Sequence, residues 1–238
     1  MRISSFLKVM RRMRTLVWAK RCSKTRVYRA MKQIENRIQR SETVSPGKRS
    51  IVLLGFSRNG KTLIAKGVAS RLAYQVISLD EIRRILDTFE GSATAFPCRS
   101  YIITTFFRKH REGILMEGDD LFGENTKKLV IERREQFGDA VRKLLELGVI
   151  VVFVGSADAN ATQKAGAIKK YGSTNVCWAA EKYNITELED LAKRNIAFSA
   201  DLKMLALDIG VPYFGIRSDT FEGDIATVIE FLETKALE

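Results

Sequence analysis

The chain has 238 residues, 45% of them hydrophobic, with 40 Lys and Arg against 28 Asp and Glu and a formal net charge of +12. That length accommodates one α/β domain with a full core and an appendage, and no apolar run approaches the roughly 18 residues of a membrane-spanning helix. Three scattered cysteines (Cys22, Cys98, Cys177) and a single histidine, His110, argue against a disulfide framework, a zinc site and histidine-based catalysis, and point to a reducing, cytoplasmic setting.

The charge is unevenly spread. Residues 1–49 carry 15 Lys and Arg and only two acids, Glu35 and Glu42, whereas residues 50–238 carry 25 bases and 26 acids. Residues 1–40 contain neither proline nor glycine, and Phe6, Leu7, Met10, Met13, Leu16 and Val17 recur near helical spacing among arginines. This predicts a basic amphipathic helix without the apolar stretch of a secretory signal. Four readings stay open for it: a membrane-surface helix, a nucleic-acid-binding arm, an organelle transit peptide, or a helix packed on its own domain. Ser41–Lys48, with Ser45-Pro46-Gly47, reads as a linker. The chain is thereby divided into a basic helical extension with linker, 1–49, and a domain, 50–238.

Ile51–Thr62, IVLLGFSRNGKT, follows. It matches G-x-x-x-x-G-K-[ST], the Walker A phosphate loop, in full and in the required context of an apolar strand before and a helix after. Gly55 and Gly60 let the backbone curl so that successive N–H groups face phosphate oxygens, and the following helix adds the positive end of its dipole. The motif predicts a nucleoside triphosphate site made by Gly55, Ser57, Arg58, Asn59, Gly60, Lys61 and Thr62. Lys61 reaches the β- and γ-phosphates and the Thr62 hydroxyl ligates Mg²⁺.

Further along, Tyr74–Leu79 reads as a second strand that runs into Asp80. An aspartate there can cap the next helix, or, at the carboxyl edge of the sheet, take the proton of a substrate hydroxyl. Arg99–Arg111 reads as a helix, with His110 as an exposed helix-end residue. Gly113–Gly118 is a short third strand carrying Glu117, and Glu124–Leu147 a charged helix. Gly148–Gly155, GVIVVFVG, is the most β-like run and therefore a central strand. Asp158–Tyr171 and Thr186–Ile209 read as helices around an irregular segment at Asn175–Tyr183. Pro212–Ile216 is the last strand and Asp224–Leu232 a closing helix. This alternation predicts a doubly wound parallel sheet.

The set GFSRNGKT, SLDEIRRIL, REGILMEGDDL and GVPYF resembles the small P-loop phosphotransferases, most of all 2-phosphoglycerate kinase, with polynucleotide kinases and zeta-toxin-type kinases as relatives. Asp80-Glu81-Ile82-Arg83 and Glu117-Gly118 carry most of the likeness, which spans 50–238 loosely. It implies a three-layer P-loop NTPase fold with a five-stranded parallel sheet of nucleoside-monophosphate-kinase type, order 2-3-1-4-5. It also implies ATP, Mg²⁺ and transfer to a hydroxyl of a small phosphorylated or carboxylated metabolite. By the same resemblance Asp80 is the base, Arg83 clamps the anionic substrate, and Glu117 lies near the metal with Thr62. A mobile lid within 158–200 brings a cation to the transferred group, with Arg194 as first candidate and Lys169 and Lys170 behind it. Asp119-Asp120 and the lid's single arginine depart from the family's pattern.

Other nucleotide-binding classes fit less well. Asp120–Gly123 matches D-x-x-G, but the chain has no N-K-x-D guanine motif, and Gly148–Gly155 does not end in the Asp-Glu pair of a motor or transporter ATPase. A nucleotide-gated binding module, or a kinase of nucleic-acid ends, using the basic arm on an anionic membrane or nucleic acid, remains the alternative.

Overall fold

Apolar strands that are covered on both faces pair in parallel, and the sheet is built that way. Its strands are β1 (Ile51–Leu54), β2 (Gln75–Ser78), β3 (Ile114–Gly118), β4 (Ile150–Gly155) and β5 (Tyr213–Gly215). They stand in the order β2-β3-β1-β4-β5, every neighbouring pair parallel. This is the order the family resemblance implied. The computed structural model describes residues 28, 31–33, 35, 36, 47–56, 58–82, 95–118, 134–175 and 177–238. The expectations for residues 1–27, the linker at 41–46, Ser57, Arg83, Asp119-Asp120 and 124–133 lie outside them.

Alternation along the strands divides the core. Ile51, Leu53, Ile150, Val152 and Val154 face α1 (Lys61–Leu72) and, at the chain's end, α7 (Phe221–Leu237). Val52, Leu54, Val151 and Phe153 face α2 (Ala95–Lys109), α3 (Arg134–Glu146) and the second half of α6 (Ile185–Ile209). Between β4 and α6 come α4 (Ala161–Gly172) and the short α5 (Trp178–Lys182), which bury Ala165, Ile168, Cys177 and Ala180 against Leu188 of α6.

Several boundaries differ from their expected places, and helix α2 runs Ala95–Lys109 rather than Arg99–Arg111. Helix α4 begins at Ala161 rather than at 158, because Asn160 caps it by accepting from Gln163 N at 3.0 Å. The segment read as irregular contains α5. Helix α7 runs on to Leu237 because its apolar stripe continues past Leu232 to the buried Ala236.

The arm's described residues touch the domain. Met31 is 5% exposed and belongs to the core cluster that includes Ile102, Ile103, Phe106 and Phe107. Glu35 pairs with Lys109 at 3.1 Å and lies 3.7 Å from Nε2 of His110. This part of the arm packs on its own domain. His110 is at a helix end as expected but is half-buried, stacked on Phe106 with ring centroids 4.6 Å apart. Among the described residues no helix is long and apolar enough to cross a membrane.

Candidate active site

The carboxyl end of β1 delivers the chain into the phosphate loop, and sterics explain its glycines. A Cβ on Gly55 would lie 2.0 Å from the Val154 carbonyl oxygen, so only glycine passes between β1 and β4. Gly60 has φ +74°, and a Cβ there would meet Ile225 Cδ1 at 2.4 Å. Arg58 also takes a left-handed conformation, φ 66°, so two left-handed residues bracket Asn59 and fold the backbone back before α1 starts at Lys61.

Within this curl Lys61 and Asn59 are buried, while Thr62 is exposed. Lys61, 8% exposed, donates from Nζ to the Phe56 carbonyl at 2.8 Å. Asn59 is fully buried. Thr62, at the second position of α1, donates from Oγ1 to Oε2 of Glu117 at 3.5 Å. Glu117, on β3 beside β1, is itself buried. The motif's metal candidate and the strand-borne acid are therefore adjacent.

A second lysine completes the loop's surroundings. Lys164, 5% exposed, donates from Nζ to Asn59 Oδ1 at 2.8 Å and to the Arg58 carbonyl at 3.1 Å. Burial, and then the neighbouring Lys61 charge, push its pKa down to about 8. The β4–α4 connection sets its position. Tyr213 of β5 accepts a hydrogen bond from Ala157 N at 3.1 Å, and its hydroxyl lies where a Cβ on Gly155 would be. Burial raises that hydroxyl to about 12. Asp158 is held by Lys203 at 2.9 Å, Asn160 caps the helix, and Lys164 falls in its first turn over the loop.

Together these elements enclose a cavity of about 660 Å³. The loop from Arg58 to Leu63 closes one end. Lys170, Tyr171 and Thr174 line one wall, and Ile216, Arg217, Ser218 and Phe221, after β5, the other. Asp224 fixes the second wall by accepting from Arg217 N and from the Thr220 hydroxyl, both at 2.9 Å. A chamber with a curled, lysine-flanked loop at one end and walls that mix Tyr171, Ile216 and Phe221 with polar side chains suits a polyphosphate carrying a flat base.

The residues expected from sequence distribute unevenly. Gly55, Arg58, Asn59, Gly60, Lys61, Thr62 and Glu117 come together. Asp80 is exposed in the helical turn at 79–82 that follows β2, on the same carboxyl edge of the sheet, but does not line the cavity. Arg194 is exposed on α6 and does not line it either. Lys169 donates to the Ala180 carbonyl at 3.0 Å, and Lys170 reaches the cavity wall. Lys164 was not singled out, although one signal was there: a lysine in the first turn of a helix opposes the helix dipole and needs a reason.

No family model and no curated protein matches the chain. Among solved structures it is similar to shikimate kinase from Bacteroides thetaiotaomicron, with 16% identity, coverage of 79% of this chain and 99% of that one, and a TM-score of 0.51. Shikimate kinase from Acinetobacter baumannii in complex with shikimate gives 10% identity, coverage of 81% and 97%, and a TM-score of 0.48. A gluconokinase from Sinorhizobium meliloti gives 14%, 79%, 95% and 0.38. With the strand order and the loop, the first of these shows the fold, a three-layer P-loop NTPase.

Proposed function

We propose that the chain is an ATP-dependent phosphotransferase that moves the γ-phosphoryl group to a hydroxyl of a small phosphorylated or carboxylated metabolite, in the manner of 2-phosphoglycerate kinase, with 50–238 as the kinase-like domain. The observation that carries this reading is the cavity of about 660 Å³ closed at one end by the phosphate loop, with Lys61, Thr62 and Glu117 at that end. The fold likeness to a shikimate kinase supports it.

In this reading Lys61 exchanges the Phe56 carbonyl for the β- and γ-phosphates and cancels charge that builds up as the phosphoryl group leaves. Thr62 and Glu117 would hold Mg²⁺. They offer hydroxyl and carboxylate oxygens, the hard donors that ion takes, and they already lie 3.5 Å apart. Among the described residues no group of three His, Cys, Asp or Glu side chains could hold a metal, so phosphate oxygens and water would complete the shell. The bound ion would neutralise phosphate charge. Asp80, beyond β2, takes the acceptor's proton, and Arg83 clamps its anionic group with a planar, bidentate cation. The segment 158–200 is the lid, and Arg194 is its solvent-facing cation.

Incubating metabolite pools with ATP and the full chain, followed by mass spectrometry, tests the reading. We expect ATP-dependent gain of one phosphoryl group by a small anionic alcohol, abolished in Lys61→Ala. Undiminished transfer by a folded Lys61→Ala variant overturns the assignment.

A further inference from the structure

We propose that Lys164 is a proton-linked second cation for the polyphosphate, exchanging the Asn59 and Arg58 oxygens for phosphate oxygens and binding a proton as it does so. The inference rests on the nucleotide reading above and adds a residue and a pH dependence to it.

The geometry comes first. Lys164 Nζ sits on the inner rim of the loop, 2.8 Å from Asn59 Oδ1 and 3.1 Å from the Arg58 carbonyl, and its side chain lines the same cavity as Lys61 and Thr62. Both present partners are neutral oxygens. A phosphate oxygen carries charge and makes the stronger, charge-assisted bond, so polyphosphate in this cavity draws the ammonium away from them.

The surroundings decide the protonation. The charged or titratable groups about the amine are Arg58 and Lys61 on the loop, Lys170 and Tyr171 farther along α4, Cys177 before α5, and Arg217 with Glu222 across the cavity. From α6, which packs on α4, Glu189 is engaged by Thr162 at 3.0 Å and by Lys193 at 3.6 Å. Burial and Lys61 both disfavour the ammonium, and Lys164 accordingly loses its proton at about pH 8. Phosphate beside it reverses the second influence and raises that value. Nucleotide binding then takes up a proton above pH 8, while below it the amine is already charged and binding is indifferent to pH.

Isothermal titration of ATP into the full chain, at about pH 7 and about pH 9 in two buffers of different ionisation heat, reads both consequences. The terminal phosphate, with a last pKa of about 6, is fully ionised at the upper pH and contributes no proton of its own. We expect wild-type affinity to fall about tenfold from pH 7 to pH 9, with uptake approaching one proton at the upper pH. Lys164→Met should bind more weakly at pH 7 and show neither effect. Lys164→Arg keeps its charge and should hold its affinity at the upper pH. ATP binding that is flat with pH and releases or takes up no proton overturns this inference alone, as does a pH dependence that survives in Lys164→Met. Absence of ATP binding at every pH overturns the nucleotide reading and this inference with it.

Discussion

The Thr62 hydroxyl donates to Oε2 of Glu117 across 3.5 Å, joining the first turn after the phosphate loop to the end of β3. Thr62 is exposed on α1, and Glu117 is a buried acid at the end of β3. In the proposed reaction this carboxylate, beside the Walker A hydroxyl, would lie next to Mg²⁺. Glu117→Gln preserves shape and removes the charge. We expect the Mg²⁺ concentration needed for half-maximal turnover to rise about 10–100-fold, and an unchanged Mg²⁺ titration to remove Glu117 from the metal's surroundings.

Met31 extends the core beyond the kinase-like domain. It is 5% exposed against the cluster that contains Phe106 and Phe107, so Met31→Ala deletes buried thioether and methyl volume. The loss should be about 2–5 kcal/mol, read as a lower denaturation midpoint in urea with an unchanged slope. Trimming the chain to residue 49 removes this contact and the Glu35–Lys109 pair together, whereas a cut before residue 28 leaves both. An unaltered midpoint in Met31→Ala would show that the contact contributes nothing.

Lys164 also makes stability depend on pH. Its pKa falls from the ordinary 10.5 to about 8 in the folded chain. Between those values the unfolded chain holds more protons, so stability rises with pH across that window and is flat below it. The full gain corresponds to about 3 kcal/mol. Tyr74 and Tyr213, both raised to about 12 by burial, act in the opposite sense: their contribution is complete below pH 10 and is lost between about 10 and 12. Urea midpoints of the wild type should therefore climb relative to Lys164→Met between pH 8 and 10. Parallel curves for the two proteins would contradict the buried amine.

What could be read from sequence depended on whether the determining contacts were local. The strand-loop-helix at 51–72 was legible because its glycine spacing and apolar run are dictated by neighbours a few residues away. β4 was legible because a continuous β-branched run has few alternatives. The strand order came through a family likeness, and no pattern in the chain dictates it. Lys164 escaped because its role exists only once α4 folds back over a loop some hundred residues earlier. Met31 likewise looks like one more apolar residue in a basic segment until α2 supplies the Phe106 surface that buries it. Arg194, named from the family's lid, is exposed on α6 and off the cavity wall.

Asp80 gives the sharpest test of the chemistry. It stands exposed just past β2, at the sheet edge that also carries the phosphate loop and Glu117, and it lies off the cavity wall where the nucleotide is proposed. In the proposed reaction this carboxylate would take the acceptor's hydroxyl proton as the phosphoryl group transfers. Asp80→Asn keeps the size and the capping ability of the side chain but cannot accept that proton, so turnover should fall by about 10²–10⁴. Affinity for ATP should be unchanged, because the substitution leaves the loop, Lys61 and the Thr62–Glu117 pair intact. Steady-state turnover and equilibrium ATP binding, measured on the same preparation, separate the two possibilities. A variant that loses ATP affinity while its acceptor turnover persists would move Asp80 from the acceptor to the metal and leave the base unassigned.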